Sequence, residues 1–136
     1  MSVDSPTQIP MLNPTYSARE AAALLGRSYS WLDQRLRRGE LVQPDGTSLQ
    51  ALRSPGGYRY FTFQMIIDIA CCCYRHRWYS FGQLNSVFHE LAVAAYRDAD
   101  KYEGPVKDLL ALLASGLADL MVDEALSTTP IVGRKR

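Results

Sequence analysis

Cysteine is scarce in this 136-residue chain, and the three it has are adjacent: Cys71, Cys72 and Cys73. An odd, contiguous set makes no disulfide framework. Neighbours on a helix point about 100° apart, so three in a row cannot converge on one metal ion. They read as small buried hydrophobes in a reducing compartment, with a regulatory thiol as the alternative. Histidine is equally rare. His76 and His89 stand alone, with no Cys or carboxylate at ligand spacing, and read as ordinary surface or core residues. There is no HExxH, Walker loop, GxSxG or paired-cysteine zinc pattern, so no enzyme, cofactor or metal site is expected. Long hydrophobic runs are also missing. The longest, Met65 to Cys73, is broken by Asp68 and falls far short of a membrane span. The opening MSVDSPTQIP has neither a basic start nor an apolar stretch, unlike a signal peptide. A cytoplasmic location with no membrane partner is the expectation.

What is present suits one globular domain: hydrophobic residues make up 47% and charged residues 21%. The net charge of +1 conceals a division. Residues 15–80 hold nine Lys/Arg against five Asp/Glu, a balance of +4. Residues 81–133 hold three against eight, a balance of −5, before Arg134-Lys135-Arg136. A basic first half beside an acidic second half points to a polyanion partner for the former. Random scatter of surface charge is the competing reading.

Residues 1–14 carry three prolines and no period, and read as a flexible arm. Ser17 followed by Glu20 is a capping box that starts a helix, and Gly26 stops it. Ser28 or Ser30 can cap a second helix over 29–38, with Leu32 and Leu36 on its inner face and Gly39 as its stop. Two short helices joined through a glycine turn make a helix-turn-helix. Pro44-Asp45-Gly46 and Ser54-Pro55-Gly56-Gly57 are turn signals. Leu49–Arg53 and Tyr58–Phe61 are strand-favouring, so a two-stranded ribbon is expected over 45–61. Alternation puts Tyr58 and Tyr60 on one face, Arg59 and Phe61 on the other.

Thr62 caps a third expected helix, 63–77, with Ile66, Ile69, Ala70 and Cys73 as its stripe. Ser80 and Gln83 repeat the capping box and start a fourth, 81–98, with a stripe of Phe81, Leu84, Phe88, Leu91 and Ala95. Asp100–Gly104 is a polar break. A final helix, Pro105–Leu126, carries Val106, Leu110, Leu113, Leu117 and Leu120 at alternating steps of four and three, a short heptad seam. Leu110, Leu113, Leu117 and Leu120 are the candidate dimer contact; an intrachain hairpin is the alternative use of the same leucines.

The order helix, glycine turn, helix, wing, helix, Ser-capped helix resembles the N-terminal domain of the MerR family of winged-helix regulators. The matching pieces are YSAREAAALLG, Ser28 two residues after Gly26, Leu32, RRGEL ending at Leu41, Pro44, GYRYFT and WYSFGQL, across about residues 15–85. The chain departs from the family at Asp33 and Arg35, where the family has Arg and Tyr, and in a longer path to the wing over 45–56. RRGEL is closer to phage and plasmid excisionases, which share the fold. Metal-sensing relatives carry their cysteines at the end of the dimer helix, whereas here they lie in the third helix, so no metal sensing is expected. The resemblance implies a mostly α fold: a winged helix-turn-helix with a small two-stranded wing, followed by C-terminal helices. Residues 15–85 would bind DNA, 86–127 would form a helical dimerisation or interaction region, and 128–136 a basic tail.

In a helix-turn-helix the second helix enters the major groove with its N-terminal residues toward base edges. That nominates Ser28, Tyr29, Ser30, Trp31, Gln34, Arg35 and Arg38. Gln34 suits adenine, and Arg35 or Arg38 suits guanine or phosphate. Arg53, Tyr58 and Arg59 on the ribbon and Arg19 on the first helix are candidates for the flanking backbone. Trp31 and Tyr29 can instead be core anchors, Arg37 and Arg38 can cap the helix C-terminus, and Tyr58 and Tyr60 can pack beneath the ribbon, which leaves Arg59 as the wing's chief contact. The leading expectation is a sequence-specific regulator of double-stranded DNA, acting as a homodimer and nucleoid-associated when bound, with no small-molecule effector. An excisionase-like or architectural DNA-bending protein of a mobile element is the second reading, and a protein-binding adaptor the third.

Overall fold

The computed structural model describes residues 14–98 and 105–134, with side chains described up to Ala125. The expected arm before Pro14, the polar break and the last two residues of the tail lie outside the described residues.

Four helices start on the side-chain caps that the sequence pattern announces. Ser17 Oγ accepts from the Glu20 N–H, and the Glu20 carboxylate accepts from the Ser17 N–H at 2.8 Å, opening α1 (Ala18–Leu24). Ser28 caps α2 (Tyr29–Arg37) through the Trp31 N–H. Thr62 and Ser80 cap α3 (Phe63–Arg75) and α4 (Phe81–Arg97) in the same way. Each cap satisfies one of the N–H groups that a helix start leaves without an internal partner. Gly26 and Gly39 take φ of 70° and 67°, left-handed values that turn the chain sharply after α1 and α2.

The sheet is larger than expected. A strand β1 (Thr15–Ser17) joins β2 (Leu52–Arg53) and β3 (Arg59–Thr62) in an antiparallel sheet of order β1-β3-β2. Tyr16 pairs with Phe61, and Arg53 with Arg59. The extra strand has a simple cause. An N-cap residue is itself extended, and Ser17 has φ −69° and ψ 168°, so the residues before it are free to pair. The front strand is shorter than Leu49–Arg53: Leu49 turns inward and donates its N–H to the Leu41 carbonyl at 2.7 Å.

The core is built around α3, buried on nearly every side. Phe63, Ile66, Ile67, Ile69, Ala70 and the three cysteines are all buried, and α3 packs against β3, α4 and α5 (Val106–Arg134). The cysteines are free thiols. Burial pushes Cys71 and Cys73 up to about 12, and raises Cys72 as well. On α4 the inner stripe begins at Leu84 and takes in Val87 and Ala94, whereas Phe81 is 48% exposed. As the first residue after the cap, Phe81 meets only the edge of the packed face, its ring edge-on to Tyr74 at 6.3 Å between centroids.

One expectation for the last helix is corrected. The helix runs to Arg134, past the expected end at Leu126 and through Pro130; the proline removes one N–H from the ladder without ending the helix. Within the chain the leucine seam packs on α3 and α4. Leu109, Leu113 and Leu120 are buried, and Leu110 and Leu117 are half-buried against the same core. A step of three and four reports that a helix packs on something and does not say whose surface that is. Side-chain ties complete the contact: Arg75 to Asp123 at 2.9 Å, Arg77 to Glu124 at 3.7 Å, and the Tyr74 hydroxyl to Glu124. Among the described residues no helix is long and apolar enough to cross a membrane, and no group of three metal-ligating side chains comes together.

Candidate nucleic-acid interface

Helix α2 has three kinds of face. Leu32 is fully buried and Leu36 half-buried beside it. Opposite them Ser30, Gln34, Arg37 and Arg38 are exposed, and at 3.6 residues per turn they fall within an arc of about 100°. The flanks between carry Tyr29 and Asp33 on one side, Trp31 and Arg35 on the other. What each flank touches decides which expected contact residues are free.

The Tyr29–Asp33 flank meets the sheet. Arg59 donates to Asp33 Oδ1 at 2.8 Å and to the Tyr29 hydroxyl at 2.9 Å. Arg37 Nε donates to Asp33 Oδ2 at 2.8 Å. The Arg59 and Asp33 side chains are only 15% and 20% exposed. Burial pushes the Asp33 carboxyl up, but the hydrogen bonds from Arg59 and Arg37 outweigh it and hold it below the ordinary carboxylate range. Burial likewise lowers Arg59, and its bonds to Asp33 and Tyr29 more than restore it. Arg19 lies over the Tyr29 ring at 4.6 Å from its centroid, so Tyr29 is held between α1 and β3. Arg59, expected as the wing's main contact, is therefore engaged within the chain, pinning β3 to α2.

Arg53 and Tyr58 are exposed on the hairpin, as is Leu52. Arg53 donates to the Gly57 carbonyl at 3.0 Å across the turn and stays exposed. Tyr58, a candidate contact whose alternative place is beneath the ribbon with Tyr60, is 78% exposed. It sits in the turn before β3, where the Ser54 N–H donates to its carbonyl and its own N–H to Ser54 Oγ. Strand alternation does not apply there. Tyr60 is half-buried within the pairing.

The Trp31–Arg35 flank meets the turn between α3 and α4. Trp31 packs edge-on against Trp78, with ring centroids 5.7 Å apart, and His76 stacks on Trp78 at 4.4 Å. Arg35 lies over both indoles and pairs with Glu40 at 3.0 Å, and its Nε has no hydrogen-bond partner. Arg27 lies over Trp31 and donates to the Trp78 carbonyl. Trp31 and Arg35, both expected at the DNA surface, are thus turned toward the body, the core-anchor alternative for Trp31. Stacking of cations on aromatic faces holds this side of α2, as the Asp33 ion pairs hold the other.

Between the C-terminal half of α2 and β2 lies an open cleft of about 440 Å³, lined by Arg37, Arg38, Arg53 and Arg59 together with Gln50 and Ala51. Arg37 and Gln50 were not among the candidate DNA contacts. Arg37 read as a helix cap, and no sequence spacing links Gln50 to residues 37–38. Ser28, as cap, directs its oxygen to the Trp31 N–H, while Ser30 is exposed.

A family model described as a domain of unknown function (DUF7229) matches residues 7–94, well over half of the chain. The chain belongs to this family. The DUF7229 span holds every residue of the α2 face, the hairpin and the cleft, and ends inside α4, so α5 lies beyond it. No curated protein and no solved structure matches the chain.

Proposed function

We propose that this DUF7229 chain is a sequence-specific double-stranded DNA-binding protein, a transcriptional regulator of the winged helix-turn-helix type. In this reading α2 enters the major groove and the β2–β3 hairpin lies on the flanking backbone. One observation carries it: a solvent-facing polar row on α2, free of acidic residues, borders a cleft lined by four arginines. Ser30 and Gln34 occupy the N-terminal half of α2, the part that faces base edges in this motif, and a glutamine amide matches adenine in the major groove. Arg38 and Arg53, exposed on the two walls of the cleft, suit phosphate oxygens, which position the protein without reading sequence. Tyr58 at the tip and Arg19 beside Tyr29 extend the contact to either side.

Unbiased selection of bound duplexes followed by sequencing tests the reading. A defined motif of a few base pairs is the expected result, and the spacing of repeated motifs gives the number of copies bound. Failure to enrich any sequence refutes it. An architectural, DNA-bending role of the excisionase kind is the second reading, favoured by the burial of Leu113 and Leu120 within the chain. With that seam occupied, side-by-side binding needs no dimer helix. DNase footprints that show direct repeats with phased bending select this reading over a single palindromic site.

A further inference from the structure

We propose that Asp33 is an intrachain stand-in for a DNA phosphate: it holds Arg37 in the free protein and yields it to a backbone phosphate that enters the cleft between α2 and β2. This inference rests on the DNA-binding reading above and concerns how that surface is regulated.

The two arginines on Asp33 are held unequally. Arg59 is largely buried and has a second partner in Tyr29. Arg37 is 77% exposed and meets Asp33 as an i,i+4 pair. An exposed pair of that kind contributes little to stability, so its cation is available for exchange. Arg37 is also one of the side chains lining the cleft, within reach of whatever occupies it. Carboxylate and phosphate present a guanidinium with the same arrangement of acceptor oxygens, so the exchange replaces one anion by another at a similar distance. Asp33 stays tied to β3 through Arg59, so the hairpin keeps its place while Arg37 moves.

The consequence is a damped attraction to DNA in general. A phosphate neutralised by a free arginine releases condensed cations and adds about 0.9 to the slope of log affinity against log salt. When Arg37 comes from Asp33, the carboxylate it leaves keeps a negative charge beside the seated phosphate and opposes the contact, and most of that increment disappears. A duplex gains from Arg37 only when its backbone is seated in the cleft.

The test is binding of a random-sequence duplex, measured by gel shift between 50 and 200 mM salt. Asp33→Asn should steepen the slope by about 0.9, which is about a threefold additional loss of affinity across that fourfold range of salt. Asp45→Asn removes the same charge from an exposed loop and should leave the slope unchanged. Asp33→Glu should restore wild-type behaviour. Arg37→Gln should change the slope little in the wild-type background and abolish the increment in the Asp33→Asn background. Equal slopes for Asp33→Asn and Asp45→Asn overturn the inference. So does an increment that survives Arg37→Gln, or a full loss of about 0.9 from Arg37→Gln alone, a variant of an exposed side chain that reads the same quantity should Asp33→Asn fail to fold. A wild-type chain that binds no duplex even at 50 mM salt sinks the DNA-binding reading and this inference with it; a wild-type chain that binds, with an unresponsive Asp33, sinks the inference alone.

Discussion

Alanine at position 116 tests how closely α5 sits on the rest of the chain. Gly116 lies inside α5, where glycine costs about 1 kcal/mol of helix stability relative to alanine. Gly116→Ala should therefore stabilise the protein unless the added methyl collides. Its Cβ would lie 2.8 Å from Ile67 Cγ2, 3.7 Å from Cys71 Sγ and 3.9 Å from Phe88 Cζ. Carbon atoms in good contact are about 3.5–4.0 Å apart, so Ile67 has to give by roughly 1 Å. Ile67 is fully buried on α3, and its β-branch leaves one favoured helical rotamer. Relief therefore comes from moving α5 off α3. Overpacking of this kind costs about 1–3 kcal/mol, which turns the expected gain into a net loss of up to about 2 kcal/mol. Ile67→Leu removes the offending branch at nearly constant volume. In that background Gly116→Ala should recover its gain of about 1 kcal/mol, so the two changes couple by an amount that a double-mutant cycle resolves. Urea titrations followed by far-UV circular dichroism supply the four stabilities. A gain of about 1 kcal/mol from Gly116→Ala alone, with no coupling to Ile67, refutes the close crossing.

Leu113→Ala should destabilise the chain by about 2–5 kcal/mol, with a melting temperature independent of protein concentration, because Leu113 packs inside one copy; a concentration-dependent melt would return it to an intermolecular seam. Arg38→Gln and Arg53→Gln should each flatten the salt slope of DNA binding by about 0.9 without moving the melting temperature, whereas Arg59→Gln should lower the melting temperature first, as scanning calorimetry can check. Stability should fall as pH rises from 9.0 toward about 12, the window between the ordinary thiol value and the raised values of Cys71 and Cys73. There the unfolded chain has lost protons that the folded chain keeps, so unfolding gains with pH. Below 9.0 the contribution is complete, and a stability that rises across that window would contradict the burial of these thiols.

Much of the fold is legible because its boundaries are local chemistry. Ser17, Ser28, Thr62 and Ser80 each cap the helix they announce, and Gly26 and Gly39 stop helices as their freedom at positive φ suggests. What escapes the sequence is contact between distant residues. Ser17 reads as a cap, and the pairing of its strand to β3 joins residues as far apart as Tyr16 and Phe61, 45 positions along the chain. The leucines of α5 carry the right period for a partner and no label for which partner. At the candidate site the outward row Ser30, Gln34 and Arg38 follows from helix geometry once Leu32 is placed inside. The loss of Arg35 and Arg59 to Glu40 and Asp33 does not. An arginine reads as a free cation until the acid opposite it is known, and Asp33 and Arg59 lie 26 residues apart.

The two tryptophans of the chain have a practical consequence. Trp31 on α2 and Trp78 after α3 are in edge contact, with Arg27 and Arg35 against them. Every indole in the molecule therefore reports from one spot, where α2 meets the body. Intrinsic fluorescence is thus an unlabelled probe of any tilt of α2 against that body, with no background from a tryptophan elsewhere.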